Sequence, residues 1–187
     1  AKNKFKKRKI KIPKNKWLKT YRDSFKFKDV DIVVELIGGA EGAAKNLVIN
    51  SLKNKKHVVT ANKALISKHG DYLSKLAETN KVNLEFEAAV AGGVPIIRVI
   101  KEGLITNKIN KIYGILNGTS NYILSNMYDT NSSFKDVLNK AKELGYAESN
   151  PKTDLNGEDA KSKLQILSSL CFHSCITRTD INVEGIE

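Results

Sequence analysis

Cysteine is nearly absent. Two occur in 187 residues, Cys171 and Cys175, four apart on a run of helical periodicity. That excludes a disulfide framework and fits reduced packing thiols in a cytoplasmic protein. Histidine is as sparse: His57, His69 and His173 are too scattered to ligate a metal, and we read all three as structural. No apolar run approaches the length needed to cross a bilayer and no signal peptide is recognisable, so no membrane partner is expected. Acids are missing from one region. Residues 1–28 hold 13 Lys/Arg and a single acid, Asp23, whereas in 29–187 the remaining 19 Lys/Arg meet 19 acids. The net charge of +12 therefore belongs to one arm, and the body is neutral. Nucleic-acid binding is thereby disfavoured for the body and stays an alternative for the arm. A G-x-G-x-x-G turn, expected where a nucleotide-binding sheet opens, is also absent.

What is present has a strand–helix rhythm. VDIVVELIGG (30–39) is a continuous apolar run ending at Gly38 and Gly39, as a buried parallel strand and its turn would read. A helix is expected over 40–54, a strand at 57–60 whose end carries Asn62 and Lys63, a helix over 64–80 bent or interrupted at Gly70, and a third strand over 83–93. This order argues for an α/β fold with a doubly wound parallel sheet. Ligands in such sheets sit beyond the carboxyl ends of the strands, where Gly38, Gly39, Lys63, Gly92 and Gly93 all fall. After Pro95 the pattern is helix, a strand at 108–116, a helix from Ser120, and an amphipathic helix capped by Ser132 or Ser133 and stopped at Gly145. NGTSN (117–121) sets small polar groups and backbone N–H groups at a strand–helix junction.

Gly145–Leu170 concentrates the chemistry. Glu148, Asp154, Glu158 and Asp159 crowd a loop with Lys161 and Lys163. The turn residues Asn150, Pro151, Asn156 and Gly157 argue against a helix before 158. Beyond it Leu164, Leu167, Leu170 and Cys171 recur at helical spacing. Lys163 lies along that stripe, one turn after Asp159. An inward lysine beside acids is costly to keep without a task, although the spacing alone also fits a helix start with an i,i+4 ion pair.

DIVVELIGG, VVTANKALI, FEAAVAGGVPII, GILNGTSNYIL, LGYAESNPKTDLNGEDAKSKL and VEGI, in this order, make the chain resemble homoserine dehydrogenase from residue 29 to 187. AAVAGG and NGTSN look like the monofunctional form. The resemblance implies an internal fragment of an NAD(P)-dependent oxidoreductase interconverting L-homoserine and L-aspartate 4-semialdehyde, in threonine and methionine biosynthesis. The family's glycine-rich turn would precede Ala1. The fold implied is an incomplete doubly wound, Rossmann-like sheet in a partial dinucleotide-binding domain (1–86), followed by a partial α+β catalytic domain (87–187). The resemblance makes Lys163 and Lys63 the catalytic lysines, with Lys163 giving and taking the proton at the substrate oxygen and Lys63 between nicotinamide and substrate. Glu148 and Asp154 would hold the substrate amino group, Asp159 would orient Lys163, and Gly145 would approach the substrate. Gly38, Gly39, Asn117 and Gly118 would approach the cofactor. Glu87, with backbone oxygens at Val90, Gly92 and Val94, would hold a monovalent cation such as sodium. The family implies a homodimer. Lys2, Lys4, Lys6, Lys7 and Arg8 stand near the ribose end of the second strand without an acid, which favours NADP over NAD.

Overall fold

A computed structural model describes residues 9–187. It divides into two compact units, one ending at Gly92 and one beginning at Gly93. The cationic run Lys2–Arg8 lies outside the described residues.

The first unit is built on a three-stranded parallel sheet in the order β1 (Ile32–Glu35), β2 (His57–Thr60), β3 (Leu84–Glu85). The register pairs Ile32 with His57, Glu35 with Thr60 and Val58 with Leu84. Helices α1 (Ala43–Lys53) and α2 (Lys63–Thr79) make the crossovers. Because strand–helix–strand crossovers are right-handed and the strands follow one another in order, both helices cover the same face. Ala44, Leu47, Val48 and Leu52 of α1 and Leu65, Ile66 and Leu73 of α2 are buried there, with Val58 and Leu84 of the sheet. The opposite face stays exposed: Ile32, Val34 and Val59 are 56%, 59% and 40% accessible. Among the described residues β1 is thus the outer strand of this sheet with one face covered and one exposed, where its apolar composition implies burial on both.

Two further expectations change in this unit. Helix α2 runs through Gly70 without interruption, because packing of its apolar stripe outweighs the roughly 1 kcal/mol propensity cost of one glycine. The third strand is only Leu84–Glu85, since the chain turns into a 3₁₀ helix at Glu87–Ala89. Before the sheet, two short 3₁₀ helices (Lys14–Lys16 and Tyr21–Lys26) lead to β1. Buried Lys56 holds this approach by donating from Nζ to the Phe27 and Val30 carbonyls at 2.5 and 2.6 Å.

The second unit is helical among the described residues: α3 (Ile96–Arg98) continuing as a π-turn (Val99–Gly103), α4 (Gly118–Thr130), α5 (Phe134–Glu143), α6 (Lys152–Leu155) and α7 (Glu158–Cys171). Ser133 caps α5, its Oγ accepting from the Asp136 N–H, and Gly145 follows in the left-handed region at φ 79°. Ile123, Val137, Ala141, Ala147 and Leu155 form one buried cluster, onto which Ile186 packs. The expected strand at 108–116 is not formed. Its alternate residues Tyr113 and Ile115 are 86% and 74% exposed, and an extended run becomes a strand only when a partner takes its backbone groups. The helical turn α6, in contrast, forms where the turn residues spoke against helix. Pro151 can start such a turn, having no N–H to satisfy, and Asn156 and Gly157 confine it to four residues. Cys171 ends α7 and is buried, while Cys175 lies beyond the helix and is exposed; both are free thiols.

Candidate functional site

In the second unit, three elements converge on one polar cluster. Asn117 is the N-cap of α4; its Oδ1 accepts from the Ser120 N–H at 2.8 Å. Its Nδ2 donates to Asp154 Oδ1 on α6 at 2.8 Å and to Asp159 Oδ2 on α7 at 2.9 Å. Asp159 sits in the first turn of α7, after the left-handed Gly157 (φ 78°), where the helix dipole favours a carboxylate. One turn on, Lys163 pairs with Asp159 Oδ2 at 2.7 Å and donates to the Leu116 carbonyl at 2.7 Å. Asp159 is 4% exposed and the Lys163 side chain 19%, so the acid has its neighbours in place of solvent. The loop between α5 and α6 is fastened to α4 as well. Ser120 Oγ donates to the Asp154 carbonyl, Thr119 Oγ1 to the Tyr146 carbonyl, and Tyr146 stacks on Tyr122 with centroids 4.5 Å apart.

Of the residues singled out from the sequence, Lys163, Asp159, Asp154 and Asn117 are joined in this cluster, and Gly118 opens α4 beside it. Glu148 and Gly145 lie on the exposed loop. A cleft of about 580 Å³ adjoins α7, lined by Tyr113, Leu116, Gly157, Lys161, Leu164 and Val183 among others; Lys163 and Asp159 are not in its wall.

The first unit gathers Gly38, Gly39 and Lys63 at the carboxyl ends of β1 and β2. Gly38 and Gly39 have φ of 86° and 81°, and no atom stands within 4 Å of where a Cβ would project. Lys63 is half-buried at the first position of α2, directly after the cap Asn62, whose Oδ1 accepts from the Leu65 N–H. Glu87, Val90 and Gly92 close this unit, and Val94 belongs to the second. The Val94 carbonyl accepts from the Ile96 N–H at 2.8 Å.

Sequence reasoning missed two features. Glu35 is fully buried at the end of β1 and bonded to the glycine turn; its signal was a charged residue inside an apolar run. The amide of Asn117 holds two acids, although only its place at a helix start was readable. Glu41 forms a third charged group, bonded to Lys68, Lys45 and His69. These donors, Lys68 foremost, then Lys45 and His69, bring its carboxyl down to about 2.

Two family models match the chain: "Homoserine dehydrogenase, NAD binding domain" over residues 1–87 and "Homoserine dehydrogenase" over 95–187. The homoserine dehydrogenase of Neisseria gonorrhoeae is 50% identical over 159 residues, 85% of this chain and 36% of that protein. A crystal structure of S. aureus homoserine dehydrogenase at pH 7.5 superposes with a TM-score of 0.83 at 40% identity, over all of this chain and 44% of that one. A hyperthermophilic archaeal homoserine dehydrogenase in complex with NADPH gives 0.72 at 32% identity, over 77% of this chain and 44% of that one. The chain thus spans between a third and a half of the length of these relatives. With both halves matched and the Rossmann-like sheet in place, the chain belongs to the homoserine dehydrogenase family.

Proposed function

We propose that this chain works within a homoserine dehydrogenase, interconverting L-homoserine and L-aspartate 4-semialdehyde on the way to threonine and methionine. The observation that carries the reading is the joined set Asp154, Asn117, Asp159 and Lys163. Oxidising a primary alcohol requires removal of the hydroxyl proton as hydride departs, and the reverse requires its return. The two contacts of Lys163 use two of the three N–H donors of its ammonium form, leaving the third to give the substrate oxygen its proton in the reduction. The neutral amine keeps both contacts and takes the hydroxyl proton on its lone pair in the oxidation. Asp154 and Glu148 accept N–H bonds from the substrate ammonium group, with Gly145 close by. Nicotinamide, when bound, accepts or returns the hydride.

The left-handed glycines Gly38 and Gly39 fit close approach of such a cofactor, because no side chain fills the space before them. In this reading Lys63 is the second catalytic lysine and a cofactor contact, and Asn117 and Gly118 are cofactor-binding residues. Residues 1–86 then belong to the dinucleotide-binding domain and 87–187 to the catalytic domain. The donor set of Glu87 with the carbonyls of Val90, Gly92 and Val94, all hard oxygens, suits a cation such as sodium. The complete enzyme is read as a cytoplasmic homodimer that prefers NADP, its 2′-phosphate met by Lys4, Lys6 and Arg8. Replacing these three together should then lower the NADP/NAD ratio of kcat/KM.

The test is turnover of L-homoserine with NADP by the complete enzyme that carries this chain; none under saturating substrate would refute the reading. The 187 residues alone are expected to show no measurable turnover. Backbone N–H groups of a glycine-rich turn ordinarily hold the dinucleotide pyrophosphate, and that turn is not in this sequence. Micromolar NADPH binding by titration calorimetry, together with turnover, would overturn this second expectation.

A further inference from the structure

We propose that Glu35 is a positioning residue that ties the glycine turn after β1 to the turn carrying Lys63. The inference rests on the reading of those two turns as the cofactor side of the enzyme. Glu35 is 0% exposed. A carboxylate taken wholly out of water persists only where donors replace the water, and here there are three. Oε1 accepts from the Ile37 N–H at 2.6 Å and the Gly38 N–H at 3.1 Å; Oε2 accepts from the Thr60 hydroxyl at 2.6 Å.

The Thr60 hydroxyl has one proton, and a carboxylate partner uses it. Its oxygen is therefore an acceptor for the next donor, the Asn62 N–H at 3.0 Å. The Asn62 side chain then faces both ways. Nδ2 donates to the Gly39 carbonyl at 2.8 Å, and Oδ1 accepts from the Leu65 N–H at 3.1 Å, capping α2. The bonds close a circuit from Glu35 through the 37–39 turn, Asn62 and Thr60 back to Glu35. Lys63 follows Asn62 directly. Every member has one direction of donation, so the circuit specifies a single relative placement of the two turns. Glu35 touches no reacting atom; it acts through Gly38, Gly39 and Lys63.

Glu35→Gln keeps the shape and breaks the direction. Its amide end is a donor, which must meet either two backbone N–H groups or a hydroxyl whose proton then loses its acceptor. In the 187-residue chain, amide hydrogen exchange should quicken about tenfold or more at Ile37 and Gly38 and also at Leu65, which Glu35 does not touch, while Leu52 in α1 stays protected. Thr60→Val should loosen the same three amides, and Thr60→Ser should restore them. This pair answers the question even if Glu35→Gln folds poorly. In the complete enzyme, Glu35→Gln and Thr60→Val should raise the NADPH dissociation constant and lower kcat, each about tenfold, with Thr60→Ser near the parent. Exchange that quickens at 37–38 but not at Leu65, or a Thr60→Val enzyme with unchanged NADPH affinity, would overturn the coupling. An unmutated enzyme inert to homoserine would instead refute the proposed function, and the exchange data would still decide the circuit.

Discussion

Asp159 Oδ2 and Lys163 Nζ lie 2.7 Å apart across one turn of α7, and Asn117 donates to the same carboxylate oxygen. An exposed i,i+4 pair contributes little. Here the acid is 4% exposed and holds its lysine against the Leu116 carbonyl as well, so the pair fixes where the ammonium points.

Lys163→Ala in the complete enzyme should lower kcat by a factor of about 100 or more, the usual range for losing an acid–base group. The NADPH dissociation constant should barely move. Lys63→Ala should damage both. Near-normal turnover of Lys163→Ala would show that another group handles the proton.

Asn117→Ala should destabilise the chain by about 2–3 kcal/mol in urea melts, since it removes a helix cap and leaves the buried Asp159 short of a donor. Asn117→Asp should cost more, because it retains a cap but adds a carboxylate between Asp154 and Asp159. A melt for Asn117→Asp at or above the parent would contradict the bridging role.

Glu41 titrates at about 2 where an ordinary glutamate titrates near 4.5. Its folded-state value is depressed, so its contribution is present above pH 4.5 and is lost as pH falls towards 2. Because Glu41 is exposed, that contribution is screened by salt. Glu41→Gln should therefore flatten the acid limb of stability between pH 4.5 and 2 at low ionic strength, and 1 M salt should narrow the difference. Parallel acid limbs for the two proteins would show that the cluster adds nothing.

Gly157 and Gly145 make a matched pair, with φ of 78° and 79°. At Gly145 a Cβ meets nothing within 4 Å, so alanine should cost only the left-handed backbone, about 1 kcal/mol. At Gly157 the Cβ would stand 2.8 Å from Val183 Cγ1 and 3.2 Å from the Glu184 carbonyl oxygen. Gly157→Ala should therefore cost at least about twice as much. Equal melting shifts for the two variants would mean that residues 183–184 are free to move away.

Local signals by themselves located much of this protein. The β2 strand at 57–60 with Asn62 and Lys63 at its end, a cap at Ser132 or Ser133, the stop at Gly145 and the lysine one turn after Asp159 all follow from alternation, helical spacing and turn chemistry within a few residues; the structure chose Ser133. The family was legible by another route, the resemblance of six ordered segments to homoserine dehydrogenase. Tertiary structure decided what depends on distant partners. Asn117 reaches Asp154 and Asp159 across 37 and 42 residues, and Glu35 reaches Thr60 across 25; no periodicity encodes such bonds. Ile32 and Val34 look like core residues until both helices are seen to cover one face of the sheet. Residues 108–116 have the composition of a strand without a strand's pairing, because a β-strand, unlike a helix, takes its hydrogen bonds from another segment of chain.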